Sequence, residues 1–369
     1  MAQVDSIHTL LKNMGQHDAS DLHLKVGMSP HYRIAGDLRK VDLPPLTAAE
    51  IERLLSPVIP AARRAQYEEK GDLDFSVQTP DGQRYRFNCF RAGGGMNAAV
   101  RRVKGVVPSF ETLHLPPIYR RLADQTNEGL ILVCGVTGAG KSTTLAALLE
   151  HINEHRFKHI VTIEDPVEFA FRPRKAVVSQ REIGIDIPDY AEGLKYLVRQ
   201  DPDVIFIGEM RDHPTMSAAL QAAETGHLVF SSLHTADTMQ AFARILEFFP
   251  RNEHAFIRGA LANCLRAICA QRLLPGVDPA RAALVPATEV LLNTPTCRDM
   301  IRREQDAEMP TLIAASEKEG MHNFTSALAH LVKQELVARE TAMKYAPNAD
   351  ALASLLRGIR TATTGVIGH

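Results

Sequence analysis

The sequence predicts an α/β protein in which a small α+β domain precedes a larger domain built on a parallel sheet. Up to about residue 105, short segments alternate apolar and polar residues, as strands with one buried face do. From residue 128 onward, continuous apolar runs such as residues 130–133 alternate with helical segments. Such runs are typical of parallel strands that helices cover on both faces. A glycine-rich loop at residues 135–142 lies between the first of these strands and the next helix.

The first domain is predicted from its strand and helix patterns. Apolar residues at helical spacing predict a helix over residues 1–14, and the capping pair Thr47 and Glu50 predicts the start of another helix. Strands are predicted at residues 21–26, 31–35, 73–77, 84–89 and 98–103. We therefore place the first domain at residues 1–105 and treat the segment at 106–127 as a linker.

The strand at residues 84–89 has two chemically different faces. Arg84 and Arg86 share one face, because successive side chains of a strand point to opposite sides. The other face, which is aromatic, is expected to pack in the core. The basic cluster of this domain consists of Arg84, Arg86, Arg91, Arg101 and Arg102. These arginines either form a solvated sheet face or reach a phosphate across a domain or subunit boundary.

The second domain is predicted to alternate strands with helices. Strands are predicted at residues 130–133, 160–163, 204–207 and 228–230, and helices at about 141–152, 190–200 and 214–225. After about residue 250 the pattern becomes helical, with an apolar stripe at Ile257, Leu261, Leu265 and Ile268. We divide this part of the chain into a core at residues 128–275 and a helical C-terminal region at residues 276–369.

Composition narrows the range of functions. The 369 residues are 45% hydrophobic and 23% charged, and the net charge of −1 gives no sign of a nucleic acid or an acidic membrane as the partner. The chain has no apolar run long enough to span a membrane and no signal-peptide pattern at its start, so we expect a cytoplasmic protein. The cysteines include no Cys-x-x-Cys pair and are expected to be buried free thiols.

Residues 135–142 match the phosphate-binding pattern G-x-x-x-x-G-K-[ST] at every position. The loop follows a buried strand and precedes a helix, so its backbone N–H groups and the helix dipole are placed to bind the phosphates of ATP. Lys141 is expected to reach the β- and γ-phosphates, and Ser142 to bind Mg²⁺. Nucleotide contacts are predicted for Gly135, Thr137, Gly138, Ala139, Gly140, Lys141, Ser142 and Thr143.

Acidic residues and histidines lie at the ends of the other core strands. Glu209 follows the strand at residues 204–207 and is expected to bind Mg²⁺ or its waters. Glu164 and Asp165 lie at the end of the strand at residues 160–163, where one of the two acids is expected to orient or deprotonate the attacking water. His227 and His234 flank the strand at residues 228–231, where they either support the structure or sense the γ-phosphate.

Taken in order, these motifs resemble those of the type II/IV secretion ATPases, and nearly the whole chain is similar to the PilT branch of pilus retraction motors. The matching segments are residues 21–30, the Walker A loop at 135–142, the Asp box at 162–169, the Walker B segment at 203–212, the His box at 225–235 and residues 270–275. The resemblance implies a PAS-like N-terminal domain, then a RecA-like P-loop ATPase core with a helical C-terminal region.

The resemblance also implies roles for individual residues. Glu164 matches the catalytic glutamate, Glu209 lies near the metal, and the His box contains His227 and His234. Arg86 and Arg102 best match the arginines that act across the subunit boundary in this family. A homo-hexameric ring that uses ATP and Mg²⁺ is implied. Its implied location is the cytoplasmic face of the inner membrane, against a pilus platform protein and without nucleic acid.

The branch of the family stays open at this stage. The chain lacks the four-cysteine zinc insert and the longer N-terminal region of the PilB and GspE assembly motors, which favours retraction. Retraction motors contain an Ala-Ile-Arg-Asn-Leu-Ile motif, and residues 296–301 depart from it at Asp299 and Met300 among others, so an accessory PilU-like motor is an alternative. Assembly or secretion motors are a second alternative, and a nucleic-acid translocase is a remote one that the neutral pI disfavours. A regulatory module without hydrolysis is disfavoured by the presence of both Glu164 and Glu209.

Overall fold

A computed structural model describes residues 6–103 and 105–358 of the chain. These residues divide into two compact units. The N-terminal unit contains the residues up to 107 together with 163–172 and 180–193, and the C-terminal unit contains 108–162, 173–179 and the residues from 194 onward. The first five residues of the predicted helix at 1–14 and the last eleven of the predicted region at 276–369 lie outside the described residues.

The N-terminal unit is built on a six-stranded sheet with the strand order β3-β2-β1-β6-β5-β4, in which neighbouring strands are antiparallel. Its elements are α1 (Ile7–Gln16), β1 (Asp21–Leu24), β2 (His31–Ile34), β3 (Asp37–Lys40), α2 (Ala48–Leu55), α3 (Ala61–Lys70), β4 (Asp72–Gln78), β5 (Arg84–Ala92) and β6 (Gly95–Val103). The predicted α+β arrangement is therefore confirmed. Helix α3 was not predicted, because only Arg63 and Tyr67 of its residues are buried and no apolar stripe marks it.

The core of this unit lies against one face of the sheet. Tyr85, Phe87 and Cys89 of β5 are buried on that face, as the alternation of the sequence predicts. The rings of Phe75 and Phe87 stack with their centres 5.0 Å apart. The predicted capping box is also present, since the backbone N–H of Thr47 donates to the Glu50 carboxylate over 2.7 Å.

The C-terminal unit contains most of a seven-stranded sheet with the order β13-β12-β7-β11-β10-β8-β9. Its first elements are α4 (Pro117–Gln125), β7 (Gly129–Cys134), α5 (Lys141–His155), β8 (His159–Glu164), β9 (Val177–Glu182), α6 (Tyr190–Leu197), β10 (Val204–Ile207), α7 (His213–Glu224) and β11 (Leu228–Leu233). They are followed by α8 (Thr238–Glu247), α9 (His254–Cys264), β12 (Leu265–Pro275), α10 (Pro279–Ala282), β13 (Leu284–Leu292), α11 (Pro295–Arg302), α12 (Met309–Ala315), α13 (Phe324–Lys333), α14 (Arg339–Tyr345) and α15 (Ala349–Leu356). The boundary between the units cuts β8, β9 and α6.

The central strands of this sheet are arranged as the sequence predicts. Strands β12, β7, β11 and β10 pair in parallel, and every residue of β7 and β11 is buried. Helices α5 and α7 lie where helical segments were predicted. Burial on both faces explains why these strands are continuous apolar runs.

Two predictions about the flanks of the core are wrong. The apolar stripe that includes Leu265 and Ile268 predicts a helix, but α9 ends at Cys264 and the next residues form β12. Short apolar runs fit a buried strand as well as a helix, and pairing of β12 with β7 decides for the strand. The region after residue 275 is not only helical, because β13 pairs antiparallel with β12.

The segment treated as a linker contains a helix. Pro117 occupies the first position of α4, which suits a residue with no N–H to donate. The helix buries Ile118, Tyr119, Leu122 and Ala123 in the C-terminal unit, and α4 packs against α5. Among the helices of the described residues, none is both long and apolar enough to cross a bilayer.

All five cysteines are buried and free of disulfides, as the sequence predicts. Burial raises the pKa of Cys89, Cys134, Cys264 and Cys269 to about 12, since a thiolate is poorly solvated in an apolar interior. Burial raises the pKa of Cys297 to about 11. At neutral pH these thiols are therefore protonated, and they act as small core residues rather than nucleophiles.

Candidate nucleotide-binding site

The glycine-rich loop joins the buried strand β7 to helix α5, as predicted. Gly138 and Gly140 adopt φ angles of +79° and +85°, a left-handed conformation that favours glycine. A Cβ atom added to Gly135 would lie 2.7 Å from the Cβ of Ala139 and 2.8 Å from the carbonyl oxygen of Gln271. The loop thus closes on itself at Gly135, where only glycine fits.

The start of α5 is open to an anion. Gly140 precedes the helix and supplies no side-chain cap, so the first N–H groups of α5 are not satisfied by a capping side chain. The helix dipole places partial positive charge at the same end. A loop whose last residues lead into such a helix end binds phosphate groups through backbone N–H donors.

Lys141 lies on the loop and is 8% exposed. Its Nζ atom donates to the carbonyl oxygens of Gly135 over 2.8 Å and Val136 over 3.3 Å. Both acceptors belong to the loop, so the ammonium group is positioned at the loop that would surround a phosphate. This location agrees with the phosphate-binding role expected for Lys141.

Gln271 of β12 fixes the loop from outside, a contact that the sequence motifs did not predict. Its Nε2 atom donates to the carbonyl oxygen of Ala139 over 2.5 Å, and its Oε1 atom accepts from the Thr144 hydroxyl over 2.9 Å. Gln271 is 1% exposed, so both bonds are shielded from water. The match at residues 270–275 was the only sequence signal that pointed to this glutamine.

Glu209 lies just beyond the carboxyl end of β10, between two basic side chains. Its Oε2 atom is 2.7 Å from Nη2 of Arg211, and its Oε1 atom is 3.3 Å from Nε2 of His234. The Glu209 side chain is 19% exposed. The carboxylate is therefore fixed in orientation and still open to solvent.

The loop and the Glu209 cluster lie at the same edge of the sheet. Strands β7, β11 and β10 run parallel, so their carboxyl ends share this edge. The backbone N–H of Gly135 donates to the carbonyl oxygen of Leu233 over 3.2 Å, and the next residue, His234, contacts Glu209. The structure thus brings Lys141, Ser142, Glu209 and His234 to one edge.

His227 lies at the opposite edge of the same sheet. It precedes β11, whose first residue pairs with Gly129 and whose last residue pairs with Cys134, directly before the loop. The first and last residues of β11 are five residues apart, which corresponds to about 17 Å at the usual rise per residue of a strand. The Nδ1 atom of His227 lies 3.0 Å from the carbonyl oxygen of Ala222, at the end of α7. The nucleotide contact predicted for His227 does not fit this position in the chain.

Replacing His227 by alanine is expected to change the dissociation constant for ADP by less than about twofold, since the side chain lies far from the phosphate loop. Replacing His234 by alanine is expected to lower ATP turnover about tenfold, because the Glu209 carboxylate loses a side chain that helps to orient it. Calorimetric titration with ADP and a phosphate-release assay measure the two effects. A strong loss of ADP affinity in His227→Ala alone would contradict the placement of that residue.

Glu164 ends β8 and belongs to the N-terminal unit. It is 5% exposed, and its Oε1 atom accepts from Nε2 of Gln180 over 3.1 Å. The same Gln180 amide also bonds to the backbone of Phe169 and Phe171, over 2.8 and 2.9 Å. The turn after β8 is thus tied to β9, and the Glu164 carboxylate is held in a fixed orientation.

The arginines of the basic cluster fall into different environments. Nη2 of Arg84 lies 2.6 Å from the Glu182 carboxylate and the Ser76 hydroxyl, so Arg84 is engaged within the N-terminal unit. The side chain of Arg86 forms no hydrogen bond or ion pair with residues 6–103 or 105–358, although its backbone pairs with the neighbouring strands β4 and β6. Arg102 donates to the carbonyl oxygen of Met14 over 3.3 Å and lies 3.4 Å from an exposed aspartate. Arg86 is thus better placed than Arg84 to contact another molecule.

Replacing Arg84 by alanine is expected to lower the stability of the protein by about 3 kcal/mol, because the buried Glu182 would lose its cation and keep only hydrogen bonds from Ser76 and Val167. The Glu182 side chain is only 3% exposed and that of Arg84 14%. Thermal unfolding measures the effect. Arg86→Ala is the matched control on the same strand face, and its melting temperature should stay close to that of the wild type. Equal melting temperatures for both variants would show that the ion pair between Arg84 and Glu182 contributes nothing to the stability of the protein.

A phosphate loop on a parallel sheet, with a carboxylate and a histidine at the ends of neighbouring strands, defines a P-loop nucleotide-binding protein. Residues 3–350 match the family model described as type II/IV secretion system protein. The chain belongs to this family.

Known relatives support the same assignment. The chain is 38% identical to the type IV pilus retractation ATPase PilT of Pseudomonas aeruginosa PAO1, over 92% of this chain and 98% of the relative. It is 35% identical to the type IV pilus ATPase PilU of the same organism, over 94% of this chain and 90% of that one. The crystal structure of the pilus retraction motor PilT with bound ADP superposes with a TM-score of 0.86, at 37% identity, over 94% of this chain and 99% of that chain. The PAS-like and RecA-like fold class inferred from the motifs is thereby confirmed.

Proposed function

We propose that this chain is an ATPase motor that powers retraction of a type IV pilus. The observation that supports it best is the common edge of the sheet, where Lys141 of the phosphate loop and the Glu209–His234 pair lie together. Similarity to PilT over nearly the full length of both chains adds the pilus context. Nucleotide binding by the loop and hydrolysis at this edge are the chemical basis of the motor.

Magnesium fits the residues at this edge. The Ser142 hydroxyl and the Glu209 carboxylate are oxygen donors, the ligand type that Mg²⁺ prefers. Glu209 is partly exposed, which leaves it open to the ion or its waters. When bound, Mg²⁺ neutralises charge on the β- and γ-phosphates. The chain's own contribution is to orient the phosphates through the loop backbone and Lys141.

Glu164 is proposed as the residue that orients and deprotonates the attacking water. Its carboxylate ends a buried strand, and the Gln180 amide fixes its orientation. A carboxylate suits this task when it is positioned within reach of the water. His234 then acts as a positioning residue, since it contacts the Glu209 carboxylate.

The working form is proposed to be a homo-hexameric ring. The Arg86 side chain has no hydrogen-bond or ion-pair partner among the residues that the structure describes, which suits a cation that serves a phosphate bound by a neighbouring copy. Arg102, with an exposed aspartate and a backbone carbonyl as its partners, is the second candidate. If the neighbour completes the site, a monomer hydrolyses ATP poorly.

The ring is proposed to act at the cytoplasmic face of the inner membrane, on a pilus platform protein. The altered segment at residues 296–301 does not disturb the fold, because Cys297 and Ile301 are buried in the core. Asp299 is on the surface, 3.0 Å from Arg303. The identity to PilU is close to that to PilT, so the accessory role is the second candidate.

Deletion of the gene, followed by counts of surface pili and a twitching assay, tests this function. Retraction predicts many pili without movement, with recovery when the wild-type chain is restored but not when Lys141→Ala is supplied. Absence of pili would instead indicate an assembly motor. If cells without the gene twitch normally under low load and stop only under high load, the chain has the accessory role.

A further inference from the structure

Glu182, the last residue of β9, has a buried carboxylate that joins three segments of the N-terminal unit. Its Oε2 atom accepts from Nη2 of Arg84 over 2.6 Å, from the Ser76 hydroxyl, and from the backbone N–H of Val167 over 3.2 Å. Ser76 and Arg84 lie on β4 and β5, whereas Val167 lies in the turn after β8. One carboxylate oxygen therefore connects the six-stranded sheet with this turn.

The same turn begins at Glu164, and β9 holds Glu164 at two points. The Glu164 carboxylate accepts from Nε2 of Gln180 over 3.1 Å. Its carbonyl oxygen accepts from the backbone N–H of Ile183 over 2.9 Å. Gln180 and Ile183 lie within two residues of Glu182 along the chain. The position of Glu164 therefore depends on where the end of β9 is held.

A buried arginine holds the end of β9 from a second side. Arg63 of α3 donates to the carbonyl oxygen of Ile183 and, over 2.9 Å, to that of Gly184. Gly184 has a φ angle of +77°, and a Cβ atom added there would collide with the Arg63 guanidinium. The backbone after β9 is thus shaped to receive this arginine. Helix α3 and the six-stranded sheet fix the same short segment together.

The hydrogen bonds of Glu182 differ from those of an ion pair that only stabilises the fold. A strong pair between arginine and a carboxylate uses both oxygens in a two-bond fork. Here all three donors converge on Oε2. The other oxygen, Oε1, is buried and accepts no hydrogen bond in the part of the chain that the structure describes. Such an oxygen costs free energy, and the arrangement suits a group that holds separate segments at one point.

We propose that Glu182 is a positioning residue for ATP hydrolysis, through which the N-terminal sheet holds the turn that begins at Glu164. The proposal rests on the proposed function, because it takes Glu164 to act on the attacking water. Without the Glu182 carboxylate, Gln180 still binds Glu164, but the turn loses its bond to the sheet through Val167. A displacement of about 1 Å near the reacting atoms can lower the rate about a hundredfold. The phosphate loop takes no part in these bonds, so nucleotide affinity should not change.

Steady-state ATP turnover by the full-length protein tests this role. Glu182→Ala is expected to lower kcat about tenfold to a hundredfold and to leave KM within about twofold of the wild type. Glu182→Gln keeps an oxygen that can accept from Val167, so its kcat should stay within about threefold. Hydrogen–deuterium exchange of peptides that contain Val167 should be faster in Glu182→Ala and close to the wild type in Glu182→Gln.

Asp306→Ala is the control for a general loss of stability. Asp306 pairs with the buried Arg258 over 2.6 Å, the same distance as between Glu182 and Arg84. Its loss should lower the melting temperature while kcat stays close to that of the wild type. If Glu182→Ala does not fold, Glu182→Asp is the second variant. Its carboxylate is one methylene shorter and cannot reach both Arg84 and Val167, so kcat should fall about tenfold.

Wild-type kcat in folded Glu182→Ala, or in Glu182→Asp, would overturn the positioning role. An equal loss of kcat in Asp306→Ala would also overturn it, because that result means a general effect of stability. If the wild-type protein itself does not hydrolyse ATP, the proposed function fails and the positioning role fails with it. Loss of kcat at unchanged KM, with recovery in Glu182→Gln, supports the proposal.

Discussion

Replacing Lys141 by alanine is expected to reduce ATP turnover by about a hundredfold to a thousandfold, the usual cost of removing one preorganised charge from a transition state. The Nζ atom lies against the carbonyl oxygens of Gly135 and Val136, at the loop that would bind the phosphates. Without it, the charge that develops on the γ-phosphate loses its nearest cation from the loop. A phosphate-release assay at saturating ATP measures the effect.

Lys158→Ala is the matched control for that variant. Lys158 lies in the same unit, directly before β8 at the opposite edge of the sheet, and pairs with Asp203 over 2.7 Å. Its loss should leave turnover nearly unchanged. Because Lys141 is buried, thermal unfolding must show that Lys141→Ala is folded. A folded Lys141→Ala protein with more than a tenth of wild-type turnover would contradict the assigned role.

Replacing Glu164 by glutamine is expected to slow cleavage by about a hundredfold to ten-thousandfold while ATP stays bound, the range for loss of a general base. Glutamine keeps the size of the side chain and its contact with Gln180, so the turn after β8 should keep its shape. Only the negative charge and the basic oxygen are lost. Filter binding of labelled ATP, followed by product analysis, separates binding from cleavage.

Two neighbouring carboxylates provide the controls for this variant. Glu168 lies in the same Asp box but is exposed, so Glu168→Gln should cleave ATP normally. Asp165 follows Glu164 directly and is also exposed. If Asp165→Asn abolishes cleavage while Glu164→Gln remains active, the base has been assigned to the wrong residue.

The phosphate loop was predictable from the sequence because its geometry is local. Glycines at 135, 138 and 140 dictate the turn, and the neighbouring strand and helix show in their apolar patterns. The location of Glu209 followed from the end of its strand. Its pairing with His234 and Arg211 did not, because partners on neighbouring strands depend on strand order.

Errors arose where long-range pairing decides the structure. His227 and His234 flank one strand, and in a parallel sheet the two ends of a strand lie at opposite edges, so only His234 reaches the loop edge. The apolar residues of β12 predict a helix as readily as a strand, because an apolar run has no unique period. With β12 unassigned, the contact of Gln271 with the loop could not be foreseen.

The partners of the arginines could not be predicted from the sequence either. Alternation along β5 correctly placed Arg84 and Arg86 on one face. It did not show that Arg84 is neutralised by Glu182, which lies 98 positions away in the sequence. Contacts of that separation depend on the folded chain, and they leave Arg86 as the stronger candidate for a role between subunits.

Phosphate release by mixed rings tests most directly whether ATP is hydrolysed between neighbouring copies. Lys141→Ala chains keep Arg86 but lose the loop lysine that is proposed to bind phosphate, and Arg86→Ala chains have the reverse defect. Each variant alone should be nearly inactive, and an equimolar mixture that is allowed to exchange subunits should regain turnover, since some interfaces then combine an intact loop with an intact arginine. Full activity of Arg86→Ala alone, or a mixture as inactive as its parents, would contradict a site shared between subunits through Arg86.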